Sequence, residues 1–220
     1  MATKKTIAII GASGNMGSAI AKSLAKSSYR ILLFGKEETK LKSVLKEIQA
    51  ANRSAGAEII GCAADASWEA DIIIAAVPYA AEKEISEKIK QVATGKIVIS
   101  ISNPLNETYS GLVTSADTSA AEELQKLLPH SKIIKAFNTT FAGDFSQPVI
   151  DGKTIDAFIA GNDEEALEIV SDVVRSAGFN PIKAGELAIS RTLENMQSLL
   201  IQLSIKNNYN WVAGWKILHN

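Results

Sequence analysis

Residues 6–17, TIAIIGASGNMG, restrict the fold of this chain more than any other stretch. Thr6 to Ile10 is apolar and mostly β-branched, the pattern of a strand covered on both faces. Gly11, Gly14 and Gly17 follow at intervals of three, and Met16, Ile20 and Leu24 then recur at helical spacing. A buried strand that turns on glycines straight into a helix is the opening of a doubly wound α/β sheet. Gly11 suits the tight turn, Gly14 lets backbone approach a ligand without a Cβ in the way, and Gly17 permits close helix–strand packing. N–H groups and the positive end of the helix dipole then face outward, which suits a pyrophosphate. The common dinucleotide fingerprint is G-x-G-x-x-G; here its first position is Ala12 with Gly11 just before it, so the motif reads G-x-x-G-x-x-G.

The rest of the chain alternates in the same manner. Strand patterns fall at 29–34, 57–60, 71–77, 96–101 and 132–137, with further short ones at 155–161 and 179–184. Helical patterns lie between them, as in Leu41, Val44, Leu45 and Ile48, or Ile85, Ile89 and Val92; others cover 120–128 and 163–177. This predicts a mostly parallel sheet with helices on both faces, residues 1–184, followed by a C-terminal extension, residues 185–220. In the extension Leu193, Met196, Leu199, Leu200 and Leu203 mark a long apolar-faced helix that ends near Asn207. Its continuous apolar face predicts a homodimer contact, with packing on its own sheet as the alternative.

Composition removes several function classes. A net charge of −1 over 220 residues speaks against a nucleic-acid binder. No apolar run is long enough to span a membrane, and Met1 to Lys5 leaves no room for a signal peptide, so the cytoplasm is expected. A single cysteine, Cys62, excludes an internal disulfide; its apolar context predicts a buried filler. With only His130 and His219, neither a metal site nor a Ser/His/Asp triad is expected.

In such sheets ligands lie at the carboxyl ends of the strands. The second strand ends at Gly35-Lys36, without the carboxylate that usually holds a free ribose diol. Lys36 and Lys40 stand where a 2′-phosphate would be, favouring NADP over NAD, while Glu37 and Glu38 suit a helix start. Ala76-Val77-Pro78 offers flat backbone for a cofactor to lie against. Asn103 and Asn138, after the fifth and sixth strands, are candidates to hold a carboxamide or a substrate carbonyl, or are simple turn residues. Tyr79 and Lys83 match a Tyr-x-x-x-Lys catalytic pair, but directly after the fourth strand they read as a coincidence.

Taken together, IIGASGNMG, the Gly35-Lys36 tip, AAVPY, ISNP, KAFNT and the ending GWKIL resemble the NADPH-dependent deazaflavin (coenzyme F-420) reductases. The wider group includes the cytosolic domain of the six-transmembrane ferric reductases. The resemblance runs from Lys5 to Leu218. It implies NADP contacts from Ser13, Gly14, Asn15 and Met16, a 2′-phosphate site at Gly35, Lys36 and Lys40, a cofactor lining of Ala76, Val77 and Pro78, and Ala136 near the nicotinamide. It also implies hydride transfer straight from the nicotinamide to a flavin or deazaflavin ring, with no catalytic acid or base. Where the deazaflavin enzymes carry a His-Thr-Ile-Pro type stretch, this chain has Asn138-Thr-Thr-Phe141, closer to the ferric-reductase domain. The acceptor is therefore a flavin, a deazaflavin or another planar molecule. The alternative is a non-catalytic NADP-binding redox sensor.

Overall fold

A computed structural model describes residues 5–219. The start of the chain, on which the expectation of a missing leader rests, lies outside the described residues. The elements run β1 (Thr6–Ile10), α1 (Asn15–Leu24), β2 (Arg30–Phe34), α2 (Glu38–Ala51), β3 (Gly56–Ile59), α3 (Ala63–Glu69), β4 (Ile72–Ala75), α4 (Tyr79–Ile89), β5 (Ile97–Ser100), α5 (Ala120–Leu127) and β6 (Lys132–Lys135). A short hairpin, β7 (Val149–Ile150) and β8 (Lys153–Thr154), precedes β9 (Asp156–Gly161), α6 (Glu164–Ser176), β10 (Asn180–Gly185) and α7 (Ser190–Asn207).

The main sheet has the order β10-β9-β6-β5-β4-β1-β2-β3. β1 to β6 are parallel; β9 joins β6 antiparallel, and β10 runs parallel to β9. Strand order reverses between β1 and β4, which opens the crevice at their carboxyl ends.

The strands alternate between two apolar layers. Ile7, Ile9, Ile72 and Ile74 face α1, α2 and α6. Ala8, Ile10, Ile73 and Ala75 face α3, α4 and α5. α7 closes the end of the sheet near β9, where Leu193 packs with Phe158, and Leu200 and Ile201 pack with Phe141. Among the described residues no helix is long and apolar enough to cross a membrane.

Three sequence readings change. α3 was not anticipated, because AADASWE spans under two turns and shows no period. Cys62 is exposed, not buried. It stands at the N-cap of α3, where the chain leaves the edge strand β3 and has no second layer to cover it. β6 is also shorter than the pattern suggests: Phe137 has φ of 59°, and this left-handed residue ends the strand direction and turns the chain into the site.

Candidate dinucleotide and acceptor cleft

The turn after β1 is built by backbone. Gly11 has φ of +102°, and a Cβ there would come within 2.1 Å of the Ala76 carbonyl oxygen. β1 and β4 can meet this closely only over glycine. The N–H groups of Gly11 and Ala12 both donate to the Phe34 carbonyl at 2.8 Å, so Gly11 serves the site through its conformation. Gly14 then occupies the N-cap of α1 in extended backbone, and no side chain caps the helix. The first-turn N–H groups, from Asn15 onward, have no partner within the helix. An uncapped, outward-facing helix start at the switch point fits a pyrophosphate.

The tip of β2 meets the same turn. A Cβ on Gly35 would lie 2.5 Å from the Ser13 hydroxyl oxygen, so glycine here lets Ser13 and the strand tip share one corner. Lys36 is exposed and makes no hydrogen bond or ion pair with the described residues. Lys40 instead pairs with Glu37 at 2.9 Å, and Glu38 with Lys42 at 2.6 Å. Of the two expected lysines, Lys36 is thus the more available to an anion.

Beyond the turn lies a cavity of about 800 Å³. Gly14, Asn15 and Met16 line it from α1, Ala76, Val77 and Pro78 from β4, and Ile101, Ser102 and Asn103 from β5. The loop 101–119 roofs it with Tyr109 and Val113. Asn15, Met16, Ile101, Asn103 and Tyr109 are shared with a second cavity of about 360 Å³, so the two form one cleft. Its farther walls are Phe137, Asn138, Phe141, Gln197, Ile201 and Trp211.

Asn103 and Asn138 clasp each other. The Asn138 side-chain N–H donates to Asn103 Oδ1 at 3.0 Å, and the Asn103 side-chain N–H donates to the Asn138 carbonyl at 2.9 Å. This leaves Asn138 Oδ1 buried and unpartnered at the junction. Ala136 is fully buried and lines neither cavity; it backs the wall. Tyr79 opens α4, and its hydroxyl donates to Glu123. Burial and then Glu123 push its pKa up to about 12, which suits a structural phenol.

Three buried charged groups behind the second cavity were not among the expected site residues. Lys135, inside the apolar β6, donates to Glu194 on α7 at 2.6 Å, with both side chains fully buried. It also donates to the Ser102 carbonyl at 2.5 Å, and Glu194 accepts from the Ala120 N–H at 3.2 Å. Buried Asp144 accepts from the N–H groups of Phe141 at 2.7 Å and Ala213 at 3.2 Å, bringing the C-terminal tail against the cleft. There Trp211 meets Phe141 edge-on, at 5.5 Å between ring centroids. A lysine in an apolar strand, with a Glu and a Gln three apart on an apolar helix face, was the available signal.

The chain has relatives among known proteins. Residues 6–104 match the family described as "NADP oxidoreductase coenzyme F420-dependent". The chain is 33% identical to the F420-dependent NADP reductase of Methanocaldococcus jannaschii, over 91% of this chain and 92% of that one. It is 34% identical to the metalloreductase STEAP3 of Rattus norvegicus, over 46% of this chain and 20% of that one. A crystal structure from Arthrobacter sp. FB24, described as a candidate F420-dependent NADP reductase, superposes with a TM-score of 0.80 at 22% identity, covering 97% of this chain and 99% of that one.

Beside the Lys135–Glu194 pair, burial pushes the Glu82 carboxyl up to about 8 from an ordinary 4.5; Lys135 opposes this and Glu194 adds to it. Asp144 is pushed up to about 7, again by burial. The folded state then holds more protons than the unfolded chain from about pH 4 to 8, so stability falls as pH rises through that window. In melting curves from pH 5 to 8, Glu82→Gln should flatten the decline. Each pH unit over which Glu82 holds its proton only in the folded state is worth up to about 1.4 kcal/mol, and the variant should lack that share of the slope.

Proposed function

Since this chain belongs to the coenzyme F420-dependent NADP oxidoreductase family, we propose that it transfers a hydride between the nicotinamide of NADP(H) and a flavin, a deazaflavin or a similar planar ring. It is an NADP-dependent oxidoreductase; the acceptor is the part we infer. The observation that carries the reading is the continuity of the cleft: an uncapped glycine turn at one end, an aromatic-walled cavity at the other, and Asn103 and Asn138 between them.

Ser13, Gly14, Asn15 and Met16, with the α1 dipole, hold the pyrophosphate, and Gly11 sets their conformation. Gly35 and Lys36 take the 2′-phosphate, with Lys40 nearby once it leaves Glu37. Ala76, Val77 and Pro78 give the cofactor a flat bed. Asn138 Oδ1, held by Asn103, accepts from the nicotinamide carboxamide, with Ala136 behind it. The reduced nicotinamide supplies the hydride, and water supplies the proton that the reduced ring takes up. The protein would contribute orientation: Asn15, Met16, Ile101 and Asn103, shared by both cavities, would bring the two rings together in one cleft. Residues 5–184 form the binding unit, and 185–219 complete the acceptor side. The outer face of α7, with Leu199 and Ile205 about half exposed, joins a second copy in a homodimer. Light scattering should give twice the chain mass, and a monomer would refute that pairing.

NADPH oxidation assayed with flavins, a deazaflavin, quinones and ferric chelates should show turnover with the flavin-like rings. Tight NADPH binding without turnover on any of them overturns the enzyme reading in favour of a binding module. In calorimetry, Lys36→Ala should weaken NADPH by about tenfold or more and leave NADH little changed, since a charge-assisted contact is worth about 1.5–3 kcal/mol. Equal losses for both coenzymes would remove Lys36 from the 2′-phosphate site.

A further inference from the structure

The second cavity has one polar group that the hydride step and the coenzyme leave unused. Gln197 is only 2% exposed, lines this cavity from α7, and its Oε1 is buried without a hydrogen-bond partner. Unpartnered buried amide oxygens are uncommon in folded proteins because each forfeits its bond to water. Glu194 apart, its neighbours on the same helix face are apolar: Leu193, Leu200 and Ile201 are all buried. Leucine or methionine would cover that face as well, so packing alone gives no reason for an amide here.

The position of Gln197 is not loose. Glu194, three residues earlier on the same face, is locked to Lys135 at 2.6 Å with both groups fully buried. That pair sets the rotation of α7 about its axis. Gln197 follows one turn later and faces Phe137, Phe141 and Trp211 across the cavity. Aromatic and aliphatic walls call for a flat ring. An amide in the wall calls for a ring edge that carries a donor, and an amide can accept from an N–H while donating to the carbonyl beside it.

We infer that Gln197 is a specificity-determining residue that recognises the imide edge of the acceptor ring, an N–H flanked by carbonyls. This rests on the reading of the protein as an NADPH-dependent reductase of planar rings and narrows the acceptor class. Flavins and deazaflavins carry that edge, whereas quinones carry carbonyls with no N–H. A site built to hydrogen-bond a donor rejects the analogue that lacks it, because its own polar atom is then stranded.

Lumiflavin, 3-methyllumiflavin, in which a methyl group replaces the imide N–H, and menadione separate the outcomes. The wild-type chain should reduce lumiflavin with a kcat/KM about tenfold above that for 3-methyllumiflavin, roughly the worth of one hydrogen bond. Gln197→Leu should erase that preference, raising KM for lumiflavin and lowering it for 3-methyllumiflavin and menadione, whose binding no longer strands the amide, while NADPH affinity in calorimetry stays at the wild-type value. Gln197→Met, closer in shape, should do the same and serves if the leucine variant does not fold. The inference is overturned if both folded variants keep the wild-type preference, or if NADPH affinity falls instead, which would assign Gln197 to the coenzyme. A wild-type chain that binds NADPH and reduces none of the three overturns the reductase reading itself, and this inference with it.

Discussion

A helix that begins without a cap governs the rest of this structure. The N-terminus of α1 carries roughly half a positive charge in its unpaired N–H groups. Gly14 at its N-cap supplies no side chain to neutralise it. The turn behind it is held rigid from the other side: the Gly11 and Ala12 N–H groups are both spent on Phe34, and Gly11 is pressed on Ala76. Three strand tips therefore converge on one anion-attracting point, and only the outward N–H groups remain for a ligand. Lys36 adds a full charge beside this corner through the Gly35–Ser13 contact.

The other half of the cleft depends on a different interaction. Taking Lys135 and Glu194 out of water is expensive, and their attraction compensates only when further hydrogen bonds complete the geometry. Here the Ser102 carbonyl and the Ala120 N–H do so. One pair thus joins β6, α7, the end of β5 and the start of α5. Losing one partner of such a pair typically costs about 3–5 kcal/mol, whereas a matched apolar replacement of both is often neutral. Stability alone would not select it. What the pair provides is a defined angle for α7, and α7 supplies Gln197 and Ile201 to the wall of the second cavity.

Some of this was legible in the residues and some was not, for identifiable reasons. Strands covered on both faces announce themselves as apolar runs, so β1, β4, β5 and β6 were visible to within two residues. Glycine spacing pointed to the turn because the backbone there tolerates no Cβ. α3 escaped because seven residues are too few to show a helical period. Cys62 was misplaced because neighbouring apolar residues do not reveal that β3 is an edge strand. The mutual clasp of Asn103 and Asn138 joins residues 35 apart in sequence, and nothing local distinguishes it from two turn residues.

From its residues alone this chain was bound to form a mostly parallel α/β sheet with a glycine-built first turn and a lysine at the tip of the second strand, where a carboxylate often stands. Those are local properties, set by side-chain size, period and the freedom of glycine over a dozen residues. The shape of the second cavity was settled only on folding. Lys135 meets Glu194 across 59 residues, and Asp144 meets Ala213 across 69. Contacts at that separation depend on how layers stack and rotate, and no stretch of chain carries that information until the layers are assembled.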